Sequence, residues 1–204
     1  MRLKNFAAVI ICFALSVLMC ACEPNDTPVL GGASVADTGY EWDLAYAAHG
    51  IGDDELFWDN ALNADNSEKG GAQHLPIFKF ESAEEFEDFK TGVLSGFYLN
   101  EGHNDVPSLK SITSECDEEF FKENTLFLIY VPATSGSVRH KVSEVTAEDG
   151  VFTAEITADS PPAVTMDLVS WFLTVKANKD YVSGCTEFNA YNKKADAEAS
   201  AFLL

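Results

Sequence analysis

The sequence predicts an α+β fold whose C-terminal half is a mainly antiparallel β-sheet or small sandwich, with one or two short helices before it. Three observations carry this. Leu126-Phe127-Leu128-Ile129-Tyr130-Val131 is continuously apolar, as a strand covered on both faces would be. Two later stretches alternate with period two: Val138, His140 and Val142 against Arg139, Lys141 and Ser143, then Phe152, Ala154, Ile156 and Ala158 against Thr153, Glu155 and Thr157. Between them stands Asp149-Gly150, a pair that accepts the positive φ angles of a tight hairpin.

A length of 204 residues fits one domain with a small appendage, and 47% apolar with 23% charged residues is ordinary globular usage. Collagen, low-complexity polymer and wholesale disorder are excluded. The 33 acidic against 13 basic residues give a formal charge of −20, which repels phosphate backbones and argues against nucleic acid as a partner.

The N-terminus reads as a targeting segment. Arg2 and Lys4 form a basic start, no acid appears before Glu23, and an apolar stretch runs from Phe6 to Met19 with only Ser16 interrupting. This is short for a permanent membrane helix, which needs about 20 apolar residues. The segment ends in Leu18-Met19-Cys20-Ala21-Cys22. Residues 1–21 are read as a signal peptide, residues 22–39 as a flexible tether with Pro24, Pro28, Gly31 and Gly32, residues 40–190 as a single globular domain and residues 191–204 as a tail.

Along the domain, Tyr40–Trp58 is aromatic without clear period and is expected as irregular structure or a short strand. Asn60–Gly71 is a polar loop, and His74–Phe80 a strand. Ser82-Ala83-Glu84-Glu85 has the form of a capping box, and Phe86, Phe89 and Val93 continue it as a short amphipathic helix ending near Gly92. Ser95–Lys110 reads as a long loop. Ser114, followed by Asp117, Glu118 and Glu119, begins a second short helix through Lys122 with its acids at the favourable dipole end. Asp159–Pro162 is a turn. Val169, Trp171, Leu173 and Val175 give the last strand, which Asn178-Lys179-Asp180 ends.

The end of the targeting segment resembles the lipobox of bacterial lipoproteins. That resemblance implies a diacylglyceryl group on Cys22, because Ala21 is small at the cleavage position and Met19 is not. Two acyl chains are what stable anchoring requires, at about 0.8 kcal/mol for each buried CH2. The run Cys116-Asp117-Glu118-Glu119-Phe120-Phe121-Lys122-Glu123-Asn124 before an apolar strand resembles a clostridial-type lipoprotein family. So do Ser135-Gly136-Ser137-Val138-Arg139-His140-Lys141-Val142 and Thr165-Met166-Asp167 with Trp171. The hairpin region is more distantly similar to the C-terminal domain named after the protease-complex subunit PrcB, in which a Thr-Gly-Gly turn feeds a strand where this chain has Ser135-Gly136-Ser137. The resemblance spans His74–Lys176 and implies export and a β-rich domain, with no activity attached.

Candidate chemistry is sparse. Ser137, His140 and Asp167 are the residue types of a hydrolase triad, but on a strand Ser137 and His140 point to opposite faces and no G-x-S-x-G elbow is present. His140 shares a face with Val138 and Val142 and reads as a core or rim histidine with one hydrogen bond at its polar tip. Arg139 is the only arginine besides Arg2. Its two readings are a structural pair with Asp167 and a ligand-facing guanidinium. Cys116 and Cys185 are the cysteines left beyond Cys22, as a candidate disulfide or as two separate thiols.

Glu101, His103 and Asp105 lack a second histidine at ligand spacing, and Asn63–Glu68 lacks the glycine of a calcium loop. No catalytic residue, metal or cofactor is assigned. The expectation is a cell-envelope lipoprotein on the extracytoplasmic face of the membrane, acting as a non-catalytic binding or scaffold module toward an envelope protein or peptide. The alternative is a protease-associated regulatory factor or envelope hydrolase. Ser135, Ser137, Arg139, His140, Asp167 and Trp171 are the candidate binding residues.

Overall fold

The computed structural model describes residues 39–47, 54–64 and 73–193. The signal peptide with Cys22, the tether up to residue 38 and the tail beyond residue 193 lie outside the described residues. Among the described residues eight strands alternate with short helices: β1 (Tyr40–Tyr46), α1 (Asp54–Asn60), β2 (Gln73–His74), β3 (Ile77–Phe80), α2 (Ala83–Thr91), α3 (Leu109–Ile112), α4 (Phe120–Glu123), β4 (Asn124–Ala133), β5 (Arg139–Glu148), β6 (Val151–Asp159), β7 (Val169–Asn178), α5 (Lys179–Val182) and β8 (Glu187–Asn192). They form two four-stranded sheets, β1-β7-β4-β3 and β2-β8-β6-β5. Of these strands β6 and β8 pair in parallel and the other paired strands are antiparallel. The α+β sandwich is as the sequence predicts.

The unbroken apolar run of β4 has its cause in two separate cores. Phe127, Ile129 and Val131 face the second sheet, where Phe127 stacks on Phe152 of β6 at 4.0 Å between ring centroids. Leu126, Leu128 and Tyr130 face the other way, onto the helical layer, where Tyr130 stacks on Phe57 of α1, also at 4.0 Å. Strand β7 is covered likewise: Trp171, Leu173, Val175 and Ala177 point to the second sheet and Phe172 to the helices. Lys176, on the helical side, is buried against Glu41, Asp43 and Glu115 at 3.3, 3.1 and 2.5 Å. Burial alone would lower its pKa, but the hydrogen bonds and attraction of Glu115 and Asp43 outweigh this and hold it above the ordinary lysine value.

The expected strand His74–Phe80 breaks at Leu75-Pro76 and crosses from one sheet to the other. Leu75 donates its N–H to Ala190 of β8, and Pro76 accepts from Tyr130 of β4. Buried Asn63 spans the break, its amide donating to the Leu75 carbonyl at 2.9 Å and accepting from the Ile77 N–H at 3.3 Å. A residue that reads as part of a calcium-like loop is therefore a structural clamp.

Local signals are mixed in outcome. Ser82 caps α2, accepting the Glu85 N–H at 3.1 Å, and Glu85 reaches back to the Glu81 N–H rather than to that of Ser82. Asp149 and Gly150 both take positive φ, 51° and 81°, in the β5–β6 hairpin. Ser114 does not cap a helix, because its hydroxyl donates to Ser111. Asp117 instead accepts the N–H groups of Glu119 and Phe120 ahead of α4. Helix α3, capped by Ser108, begins within the last residues of the predicted loop. Tyr40–Tyr46 is a full edge strand, and β8 follows the strand read as last.

Cys116 and Cys185 are free thiols. Cys116 lies in the helical-side core and Cys185 packs against the inter-sheet core, so the first sheet stands between them and the candidate disulfide is not formed. Burial pushes the Cys116 thiol up to about 12, which makes it unreactive near neutrality. Among the described residues no helix is long and apolar enough to cross a membrane.

Trp171 is wholly buried at the centre of this arrangement. Trp171→Ala is expected to cost about 3–5 kcal/mol in denaturant melts. A loss under about 1 kcal/mol would place the indole at the surface.

Candidate functional site

Where β4 leaves its pairing with β7, at Ala133 opposite Val169, the chain turns through Ser135-Gly136-Ser137 into β5. The turn is closed by hydroxyls. Ser135 Oγ shares hydrogen bonds with Ser137 Oγ at 2.8 Å and Thr165 Oγ1 at 2.9 Å, and accepts the Ser137 N–H. The Thr165 N–H donates to Ser137 Oγ at 3.0 Å, and the Gly136 N–H donates to Asp167 at 3.1 Å. The Thr165 hydroxyl and the Gly136 N–H hold the Asp167 carboxyl below its ordinary range. Gly136 is required for space: a Cβ here would run into the Asp167 carboxylate and press on the His103 ring.

Arg139 locks the turn from its other side. Its guanidinium donates to Asp105 at 2.9 Å and to the Gly136 carbonyl, and lies over the Trp171 ring at 5.0 Å. The Arg139 hydrogen bond keeps Asp105 below the usual carboxylate range. The expected Arg139–Asp167 pair is thus corrected: Asp105 takes the arginine, Asp167 takes the backbone amide, and the two meet only through Gly136. Asp105 is brought there by a tight turn in which His103 and Val106 exchange backbone hydrogen bonds and Asn104 adopts a φ of 53°. The same turn sets His103 against Tyr46 at 4.9 Å and Trp171 at 6.0 Å. Of the loop Glu101–Asp105, two residues are consumed by ring packing and an ion pair. Among the described residues no three His, Cys, Asp or Glu side chains gather on a metal position.

His140 lies on the core face of β5, 7% exposed, and neither ring nitrogen has a hydrogen-bond partner. The bond expected at its tip is absent. Burial lowers its pKa to about 4, so the ring is neutral at pH 7. With Ser137 bonded to Ser135 and Thr165, and His140 bonded to neither Ser137 nor Asp167, there is no triad.

On the outer side of the turn is a groove of about 530 Å³ lined by Thr134, Val138, Ser160, Val164, Met166 and Leu168 among others. Its apolar wall is exposed: Val164 at 54%, Met166 at 100% and Leu168 at 86%. Thr165 and Asp167, the alternate residues, are the ones that hold the turn. Of the candidate binding residues, Ser135, Ser137, Arg139 and Asp167 meet in one network beside this groove, with Trp171 beneath Arg139 and His140 in the core. Val164 and Leu168 escaped the sequence reading, although Val164-Thr165-Met166-Asp167-Leu168 alternates with period two directly before β7.

No family model, curated protein or solved structure matches the chain. What the site can do follows from its chemistry. Its hydroxyls, amides and charges are largely spent on one another, and the groove beside it mixes exposed hydroxyls of Thr134, Ser160 and Thr165 with the large apolar side chains of Val164, Met166 and Leu168.

The neutral, buried His140 makes stability depend on pH. The unfolded chain takes up a proton at this ring below about pH 6.5, whereas the folded chain does so only near pH 4. The stability that the neutral ring contributes is full above 6.5 and is lost as pH falls toward 4. Denaturant melts at pH 7 and 4.5 should differ by about 2 kcal/mol for this cause, and His140→Leu should abolish most of that difference. Asp105 and Asp167 lose their contribution only at lower pH, because their carboxyls are held below 3.8. An unchanged pH profile in His140→Leu would mean that the ring is solvated in the folded protein.

Proposed function

We propose that this chain is a bacterial cell-envelope lipoprotein, anchored through Cys22 on the extracytoplasmic face of the membrane, whose folded domain is a non-catalytic binding module. The lipobox-like Leu18–Cys22 supports the anchor, and the polar segment after it provides the tether. The net charge of −20 supports a domain held off an anionic lipid surface, within screening range. The observation that carries the binding reading is the exposure of Val164, Met166 and Leu168 on a backbone fixed by Thr165 and Asp167. Large apolar side chains gathered in water mark an interaction surface.

An envelope hydrolase needs a nucleophile within reach of a base. Ser137 has only hydroxyls and an amide around it, and His140 is turned into the core. The protease-associated alternative rests on the PrcB-like turn alone, and here that turn's polar groups are engaged internally.

Fractionation tests the anchor. The parent chain should be recovered with membranes at mature size, and Cys22→Ala should be released into the medium or persist as unprocessed precursor, because the acyl chains supply the membrane affinity. A Cys22→Ala chain that stays with membranes at mature size would overturn the lipoprotein reading.

A further inference from the structure

We propose that Val164–Leu168 is a docking edge to which an extended peptide of a partner protein adds as a β-strand, the peptide being apolar at alternate positions and basic between them. This rests on the reading of the domain as a binding module and names the class of partner.

The segment continues β7 backward past the point where β4 departs. Pairing of β4 with β7 ends at Ala133 opposite Val169, and the β4 chain then turns away at Ser135. Hydrogen bonds to the turn fall on Thr165 and Asp167, and large exposed apolar side chains on Val164, Met166 and Leu168, a period-two order of residue types like that of a strand. Among the described residues no backbone hydrogen bond is made by Val164, Met166 or Leu168, whereas the Thr165 N–H is already taken by Ser137. Such a row of unpaired amides and carbonyls is a template for another chain. Edge strands are commonly protected by outward charge or by cover; here the outward residues are two aliphatics and a methionine. The groove they line together with Val138, about 530 Å³, has room for a few side chains of the added strand. Because Thr165 and Asp167 are pinned before any partner arrives, little ordering remains to oppose binding.

Charge selects the occupant. Exposed Asp159 precedes the segment, and Asp167, which accepts from the uncharged Gly136 amide, lies within it, while Asp105 and Arg139 offset each other. A second copy of a chain carrying −20 is repelled, whereas a basic peptide is drawn in.

The probe is a labelled ten-residue peptide of alternating valine and lysine, titrated against the complete mature chain in detergent and followed by anisotropy. The double variant Met166→Asp with Leu168→Asp should weaken binding at least tenfold while retaining the parent's denaturant midpoint, since both side chains are exposed. It is also more acidic, so simple electrostatic adsorption would make it bind as tightly or more tightly; that result overturns the proposal, as does failure of the parent to bind. N-methylation of alternate peptide amides should abolish binding, and indifference to it would exclude strand addition. A valine–glutamate peptide that binds equally well would overturn the charge assignment. A parent dimer in sedimentation that Met166→Asp dissolves would give the edge to a second copy instead. None of these results touches the Cys22→Ala fractionation, so the lipid-anchored reading fails or stands separately; a parent that captures apolar peptides regardless of N-methylation would keep the binding module while excluding strand addition.

Discussion

Strands β4 and β7 pair along ten residues each, and both are covered on both faces. A strand in that position cannot alternate apolar with polar, so β4 is apolar from Leu126 to Val131, and the most polar side chains of β7 are the ones that are received. Ser170 hydrogen-bonds Tyr130, and Lys176 is surrounded by three carboxylates. The ammonium on the helical side is tolerated because Glu41 and Asp43 of β1 and Glu115 after α3 converge on it. Removing their charge would leave a buried cation unpaired, which is far costlier than an exposed pair is worth. The first sheet thus supplies one wall of each of two cores, and the second sheet and the helices each close one.

The candidate site is a consequence of how this pair ends. At the Lys176 end, β7 stops at Asn178, which caps α5 through the Asp180 N–H. At the other end the two strands diverge, β4 into the Ser135 turn and β7 back into Leu168, and the gap between them is bridged by side chains rather than by a ladder. Thr165, Asp167, Ser135 and Ser137 do the bridging, and Arg139 fixes the turn to the His103–Val106 loop over the Trp171 ring. A turn with so many mutual contacts has few polar groups to offer a substrate. Its mechanical role is to present the residues that alternate with the bridging ones.

Much of the fold was legible in the sequence because it rests on local pattern. The apolar run of β4, the alternation of β5 and β6, Asp149-Gly150 and the Ser82 cap each follow from neighbouring residues. What escaped depends on partners distant in the chain. Strand β8 has only Phe188 and Ala190 facing the core, too weak a pattern to be read alone, and it exists because β6 offers it a parallel edge. The break at Leu75-Pro76 needs Asn63 to satisfy it. Asp105 rather than Asp167 meets Arg139 because an Asn104 turn delivers it, which no spacing discloses. Cys116 and Cys185 are separated by a sheet whose position sequence distance does not encode. At the site, Ser135, Ser137, Arg139 and Asp167 were legible as a group, whereas their pairing and the role of Val164 and Leu168 were not.

Native-state amide hydrogen exchange tests the central claim, that the doubly covered pair β4–β7 is the stable unit and that the strand-like segment before β7 has an unpaired edge. Amides of Leu126–Val131 and Trp171–Val175 should exchange only through global unfolding, while those of Val164, Met166 and Leu168 should exchange orders of magnitude faster despite adjoining β7. Protection of Val164, Met166 and Leu168 equal to that of Trp171–Val175, or fast local exchange within β4, would contradict the account.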